Sequence, residues 1–257
     1  MRTGLIPVIA ALLVVAACSK NSPLDAMQPG ERARVVRVID GDALVLETGQ
    51  SVRLVGIEAP SRGGRYDETE PHAEESARAL EDLVMGREVQ LVYPGLTRDR
   101  YDRALAHVKT TDAAGPAWWV NLELIRQGHV RVRLYPDTDA GGAILVEAEK
   151  EARQTSRGLW SERAYAPQRA ERVTHEDRGF MLIKGILGDE AERPQEDERT
   201  ILCTRKLQGS SILIDMTFSA RAACDTPAGT PVLVRGWTQK KRMELVHPLH
   251  LEILEGE

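Results

Sequence analysis

Aromatic residues are scarce in this chain: two phenylalanines, four tryptophans and five tyrosines among 257 residues. Hydrophobic residues still make up 42%, so cores can form, but they must be largely aliphatic. Positive charge is also short. The formal net charge is −5, and Arg2 is the only charged residue in positions 1–18, so the rest is more acidic still. A protein that coats nucleic acid along its length is basic overall. That class is excluded, whereas a local basic cleft is not. Cysteine is limited to Cys18, Cys203 and Cys224, and no internal repeat is visible. The apolar run at 5–17 is too short to span a bilayer comfortably.

That run, "LIPVIAALLVVAA", follows Arg2 and has the shape of a secretory h-region. It leads into "VAAC" at 15–18. Two small residues before a cysteine resemble a bacterial lipoprotein signal, which implies cleavage before Cys18 and lipid attachment to its thiol. An ordinary signal peptide or an uncleaved anchor is the alternative. Ser19 stands where inner-membrane retention signals usually carry aspartate, so the expected address is the outer membrane, facing the periplasm. Residues 1–18 then form the signal peptide. The polar, Pro/Gly-punctuated residues 19–31 read as a tether. In an oxidising compartment the remaining pair, Cys203 and Cys224, suggests a disulfide, with two buried free thiols as the alternative. Their spacing with His247 and His250 fits no compact zinc motif.

Residues 34–57, "RVVRVIDGDALVLETGQSVRLVGI", read as three short strands with turns at Asp40-Gly41 and Thr48-Gly49. A helix is expected over 71–85, where Ala73, Ala77, Leu80 and Val84 share one stripe between Pro71 and Gly86. Strands follow at 87–93 and 103–110. A short helix over 120–127 stops at Gly128, and "HVRVRLY" at 129–135 is strand-like. A last helix, 143–157, ends at Gly158. Five strands wrapped with helices suit a small closed barrel. Residues 162–178 are polar and patternless, as in a linker. The remainder, 179–257, is a succession of short strands and reads as a second, smaller all-β domain.

Three clusters could carry chemistry: "DGD" at 40–42, "RLVGIEAP" at 53–60 and "RDRYDR" at 98–103. Each alone is weak. In order, and with "AEESARALEDLV", "VNLELIRQGHVRV" and "EAEKEARQTSRGLWS", they resemble the staphylococcal-nuclease-like, or thermonuclease, family over residues 34–161. The resemblance implies a mainly β fold over 32–161, an OB-type five-stranded barrel with three helices. The tail "VLVRGWTQKKRMELVHPLHLEIL" is similar to that of some proteobacterial members and suggests a second OB-like barrel.

Hydrolysing a phosphodiester needs charge neutralised on the phosphate, a positioned water and help for the leaving oxygen. The resemblance implies that Arg53 and Arg103 clamp the phosphate. It implies that Asp42, Glu58 and the backbone carbonyl of Ala59 hold Ca2+. Glu58, Arg53 and Arg103 are thus the expected catalytic residues. Tyr101 matches a position beside the bound nucleotide, and Tyr135 lies near another. Arg53 alternates with core-facing Val52 and Leu54, as a site residue on a strand should.

Three positions depart from the family pattern. Glu58 replaces an aspartate. Asp102 replaces a glycine. Ser61 stands where the general-base glutamate belongs, and serine is no base near neutral pH unless another group activates it. Asp67, Glu68 and Glu70 follow on the same loop. Two readings result. One is a slow, Ca2+-dependent phosphodiesterase acting on single-stranded DNA or RNA, anchored in the envelope through Cys18. The other is a catalytically degenerate OB-type module that binds nucleic acid, another polyanion or a protein in the periplasm.

Overall fold

The apolar alternation of the first segment becomes three consecutive strands: β1 (Gln28–Asp40), β2 (Ala43–Leu46) and β3 (Ser51–Leu54). They belong to a computed structural model that describes residues 22–64, 68–111, 115–191 and 200–255. Cys18 and the signal segment lie outside the described residues. Among the described residues no helix is long and apolar enough to cross a membrane. Leu44, Leu46, Val52 and Leu54 are fully buried. Gly56, at φ +75°, turns the chain out of β3 into the two-residue β4 (Ile57–Glu58).

Next comes α1 (Ala73–Val84), with Glu74 and Glu75 favourably placed in its first turn. It buries Ala73, Ala77, Leu80, Leu83 and Val84. β5 (Glu88–Tyr93) and β6 (Ala104–Thr110) complete a closed barrel in the order β1–β2–β3–β6–β5. The pair β3–β6 is parallel and the other barrel pairs are antiparallel. α2 (Val120–Gln127) ends at Gly128 as expected. β7 (Arg131–Val132) and α3 (Gly142–Gln154) follow. The expected five-stranded barrel with three helices is thus present.

Past the first barrel, β8 (Gln168–Arg169) leads into β9 (Gly179–Glu190), β10 (Ile201–Leu207) and β11 (Leu213–Thr217). A short α4 (Arg221–Cys224) precedes β12 (Pro231–Gln239), β13 (Arg242–Leu245) and β14 (Leu251–Ile253). The ladder runs β9–β10–β11–β13–β12, and β12 pairs back onto β9 along eight residues. This is the strand order of the first barrel. The parallel pair, here β11–β13, sits in the same place, and a helix again separates the third and fourth strands. The second domain is therefore OB-like, though α4 makes it not strictly all-β. Cys203 and Cys224 are disulfide-bonded, tying β10 to α4.

Three expectations are corrected. Residues 22–31 are not a free tether: Leu24 is buried, and β1 already starts at Gln28, opposite Tyr93 of β5. Closing the barrel needs a long first strand that reaches both β2 and β5. The 162–178 segment is not a free linker either. Tyr165, Ala170 and Val173 are buried, and β8 pairs with β9. Its apolar residues are irregularly spaced because they sit in 3-10 turns, so no helix or strand period shows. Finally, within 129–135 only Arg131–Val132 is a strand, paired with β4 outside the barrel. Neighbouring amides are taken by other partners: Val132 N–H by Glu149 (2.7 Å) and Leu134 N–H by His250 Nε2 (3.0 Å).

The barrels are locked together by polar contacts. Arg235 of β12, the largest fully buried side chain, pairs with buried Glu149 of α3. Arg153 reaches Glu252 (2.5 Å), Asp139 reaches His247 (3.0 Å), and Arg131 donates to the Phe180 carbonyl (2.9 Å). Phe180, Leu182 and Leu233 of the second barrel pack with Ala152, Leu159 and Trp160 of the first.

Candidate active site

The turn between β1 and β2 lies close under α1. A Cβ on Gly41 would fall 1.8 Å from Ser76 Oγ, so the middle residue of Asp-Gly-Asp has to be glycine. The flanking carboxylates are thereby held at one end of β3. Asp40 accepts the Asp42 amide (3.2 Å), and buried Asp42 accepts the Ala59 amide (2.7 Å).

Arg53 leaves the middle of β3 on the face opposite Val52 and Leu54. Its guanidinium ion-pairs with Asp42 and with Glu58 (2.7 Å). Burial lowers its pKa from the ordinary value, opposed by the charges of Glu58 and Asp40. Glu58 holds a second arginine, Arg133, at 3.0 Å through the same oxygen. Burial raises the Asp40 pKa, against the lowering pull of Arg53, Arg103 and Arg62.

Arg103 comes from the loop before β6. Asp99 organises that loop, accepting the amides of Tyr101 (2.9 Å) and Arg103 (3.0 Å) and the Arg103 Nε–H (2.7 Å). Asp102 takes up the left-handed conformation, φ +61°, that the family glycine would adopt without strain. Tyr101 is exposed, with Arg100 and Arg103 at 4.8 and 5.8 Å from its ring centre. Tyr135 is also exposed and stacks on Arg133 at 4.9 Å.

These side chains share one cavity of about 550 Å³, lined by five arginines (Arg53, Arg98, Arg100, Arg103 and Arg133) and two aspartates, Asp99 and Asp137. On an acidic chain this is a local excess of positive charge, suited to phosphate oxygens. Arg53, Arg103, Tyr101 and Tyr135 are thus brought together, and Asp42 and Glu58 adjoin them through Arg53. Arg133 escaped the sequence reading, and Asp40 entered it only as part of the Asp-Gly-Asp cluster, with no role of its own. Arg133 carried a signal, its place two residues before Tyr135 in an alternating stretch. Asp40 carried one in the same Asp-Gly-Asp turn as Asp42.

The expected metal ligands have other partners in this structure. Asp42 and Glu58 do converge, but on Arg53, and Ala59 turns its amide towards Asp42. Among the described residues no group of three or more acidic, histidine or cysteine side chains is arranged to hold a metal ion. Asp42 Oδ2 accepts from Arg53 and the Ala59 amide, and Glu58 Oε2 from Arg53 and Arg133, so Ca2+ would have to displace Arg53 or bind through the other carboxylate oxygens. The base position is equally plain. The Ser61 amide donates to Glu70 Oε2 (2.7 Å), and Glu70 also faces Arg131 (3.6 Å). Glu70 is thus engaged as a loop clamp, Glu68 is exposed, and Asp67 lies outside the described residues.

Residues 51–162 match the family model described as staphylococcal nuclease homologue. A protein named uncharacterized endonuclease from Escherichia coli is 36% identical over 132 residues, covering 50% of this chain and 76% of that protein. A micrococcal nuclease from Shigella flexneri is 32% identical over 140 residues, 51% and 74% of the two chains. The thermonuclease of Staphylococcus intermedius is 29% identical over 134 residues, 51% and 77%. These similarities span about half of this chain and most of each relative.

Proposed function

This chain belongs to the family of staphylococcal nuclease homologues, and from that premise we propose that its groove hydrolyses phosphodiester bonds of DNA or RNA, slowly. The observation that carries this reading is the convergence of Arg53, Arg103 and Arg133 beside two exposed tyrosines in one cavity. Planar guanidinium groups grip phosphate oxygens through paired hydrogen bonds and offset the charge that builds on them during attack. Tyr101 and Tyr135 flank that grip and orient the nucleotide. Ser61 leaves the family's base position without a proton acceptor. General-base catalysis typically contributes ~10²–10⁴-fold, and its loss sets the expected slowness.

Ca2+ dependence is what the resemblance implies, and a bound Ca2+ would supply charge neutralisation on the phosphate. Because Asp42 and Glu58 are held by Arg53 and Arg133, no step here is routed through the ion. The address in this reading is the cell envelope, with Cys18 as a lipid anchor in the outer membrane facing the periplasm. Its support is the apolar run at 5–17 followed by the small residues before Cys18.

The test is release of acid-soluble nucleotides by the chain beginning after Cys18. Release should exceed that of an Arg53→Ala, Arg103→Ala double variant by at least 100-fold. Circular dichroism should check that the variant folds, with Arg53→Lys as a milder second probe. Equal release by wild type and double variant would sink the reading. One observation favours the binding-only alternative: Arg53 and Arg103 are already paired with carboxylates, and Ser61 with Glu70. Binding of single strands without any release would establish it.

A further inference from the structure

Trp237 lies on β12 of the second barrel, directly opposite Phe180 of β9. Arg235 and Leu233, two and four residues earlier on the same strand face, are buried, Leu233 packing against the first barrel and Arg235 pairing with Glu149. Trp237 continues this face but is 49% exposed. It marks the place where the junction between the barrels opens to solvent. There its ring lies 5.3 Å from the guanidinium of Arg133, which is itself 4.9 Å from Tyr135 and 3.0 Å from Glu58. Glu58 in turn holds Arg53. Tyr135 and Trp237 therefore flank one arginine of the groove, although they come from different barrels.

An exposed tryptophan says little alone, since apolar side chains are common on surfaces. The strand that carries this one is anchored by the buried Arg235–Glu149 pair and by its ladder to β9, where the Phe180 carbonyl accepts from Arg131. An indole beside an arginine suits an unstacked nucleobase, which offers a π face to the ring while its phosphates face the guanidinium. Bases inside a duplex have their faces covered by their neighbours.

We propose that Trp237 is a base-stacking platform, so that the second barrel lengthens the groove of the first into a track for single-stranded nucleic acid. This rests on the reading of the groove as a nucleic-acid site and adds to it a role for the second barrel.

The experiment measures binding apart from cleavage. The chain beginning after Cys18 is titrated into a fluorescein-labelled phosphorothioate dT12 strand, followed by anisotropy and by tryptophan quenching. Trp237→Ala should weaken binding about tenfold. Trp237→Phe, which keeps a ring, should stay within about threefold, and the exposed Phe218→Ala on the same barrel should bind like wild type. A dT12·dA12 duplex should bind more weakly and lose little on Trp237→Ala. The inference is overturned if Trp237→Ala binds dT12 like wild type, if Phe218→Ala loses as much, or if duplex and single strand lose equally. Binding through Trp237 with no hydrolysis of ordinary dT12 would refute the proposed hydrolysis and leave this inference standing. Hydrolysis with binding insensitive to Trp237 would do the reverse.

Discussion

Acidification should loosen this protein through a histidine at the barrel junction. His250 is buried, and its Nε2 accepts the Leu134 amide of the first barrel at 3.0 Å. Its Nδ1 has no hydrogen-bond partner among the described residues. Burial lowers its pKa from 6.5 to about 3, helped by the nearby positive charges of Arg235, His247 and Arg133. A group whose folded pKa lies below its unfolded value binds protons better when unfolded. Its stabilising contribution is complete above pH 6.5 and is lost as the pH falls from 6.5 towards 3. At about 1.4 kcal/mol per pH unit, His250 alone removes about 2 kcal/mol between pH 7 and pH 5. That is a large share of a typical stability of roughly 5–15 kcal/mol. Buried His107 adds a similar loss: burial pushes its pKa down to about 4, against the raising pull of its hydrogen bond to the Ala140 carbonyl. Other groups titrate over the same range, so the comparison has to be differential. His250→Gln keeps an acceptor for the Leu134 amide but cannot be protonated. Urea unfolding by circular dichroism at pH 7, 6 and 5 gives both stability curves. The gap between wild type and variant should shift by about 2 kcal/mol in favour of the variant between pH 7 and pH 5. Parallel curves would refute the reasoning, since His250 would then carry the same proton load folded and unfolded.

Three further outcomes are expected. Ser61→Glu restores a carboxylate at the base position and should raise the initial hydrolysis rate by ~10²–10⁴-fold; an unchanged rate would show that more than the base is missing. Millimolar Ca2+ should leave the Tm of the nucleotide-free chain unchanged, since Asp42 and Glu58 are already held by Arg53 and Arg133. A rise that disappears in Asp42→Asn would show that Arg53 gives way to the ion. Reducing Cys203–Cys224, which are 21 residues apart, should lower stability by about 3 kcal/mol through loop entropy. An unmoved urea midpoint in dithiothreitol would contradict that.

Much of the first barrel was legible because its signals are local. Val52 and Leu54 flank Arg53, so strand period alone assigns the arginine to the outer face. Gly128 ends α2 where a left-handed residue is needed, φ +75°. The tether and the linker were misread for a shared reason. Leu24, Tyr165 and Val173 are single apolar residues without helical or strand spacing, and only docking against a finished barrel buries them. Arg133 shows the same limit at the site. It meets Glu58 across 75 residues of chain, and only the β4–β7 pairing places them together.

By itself the sequence determined the strand and helix content, the family and the inventory of phosphate-binding arginines, because alternation, turn residues and short motifs act within a few residues. Tertiary structure alone decided how those groups are occupied. Barrel closure put Arg53 between Asp42 and Glu58, where a metal had been expected. Docking of the second barrel carried Trp237 to Arg133. Such pairings are set by which charges and rings meet when distant segments pack, and no local pattern encodes that meeting.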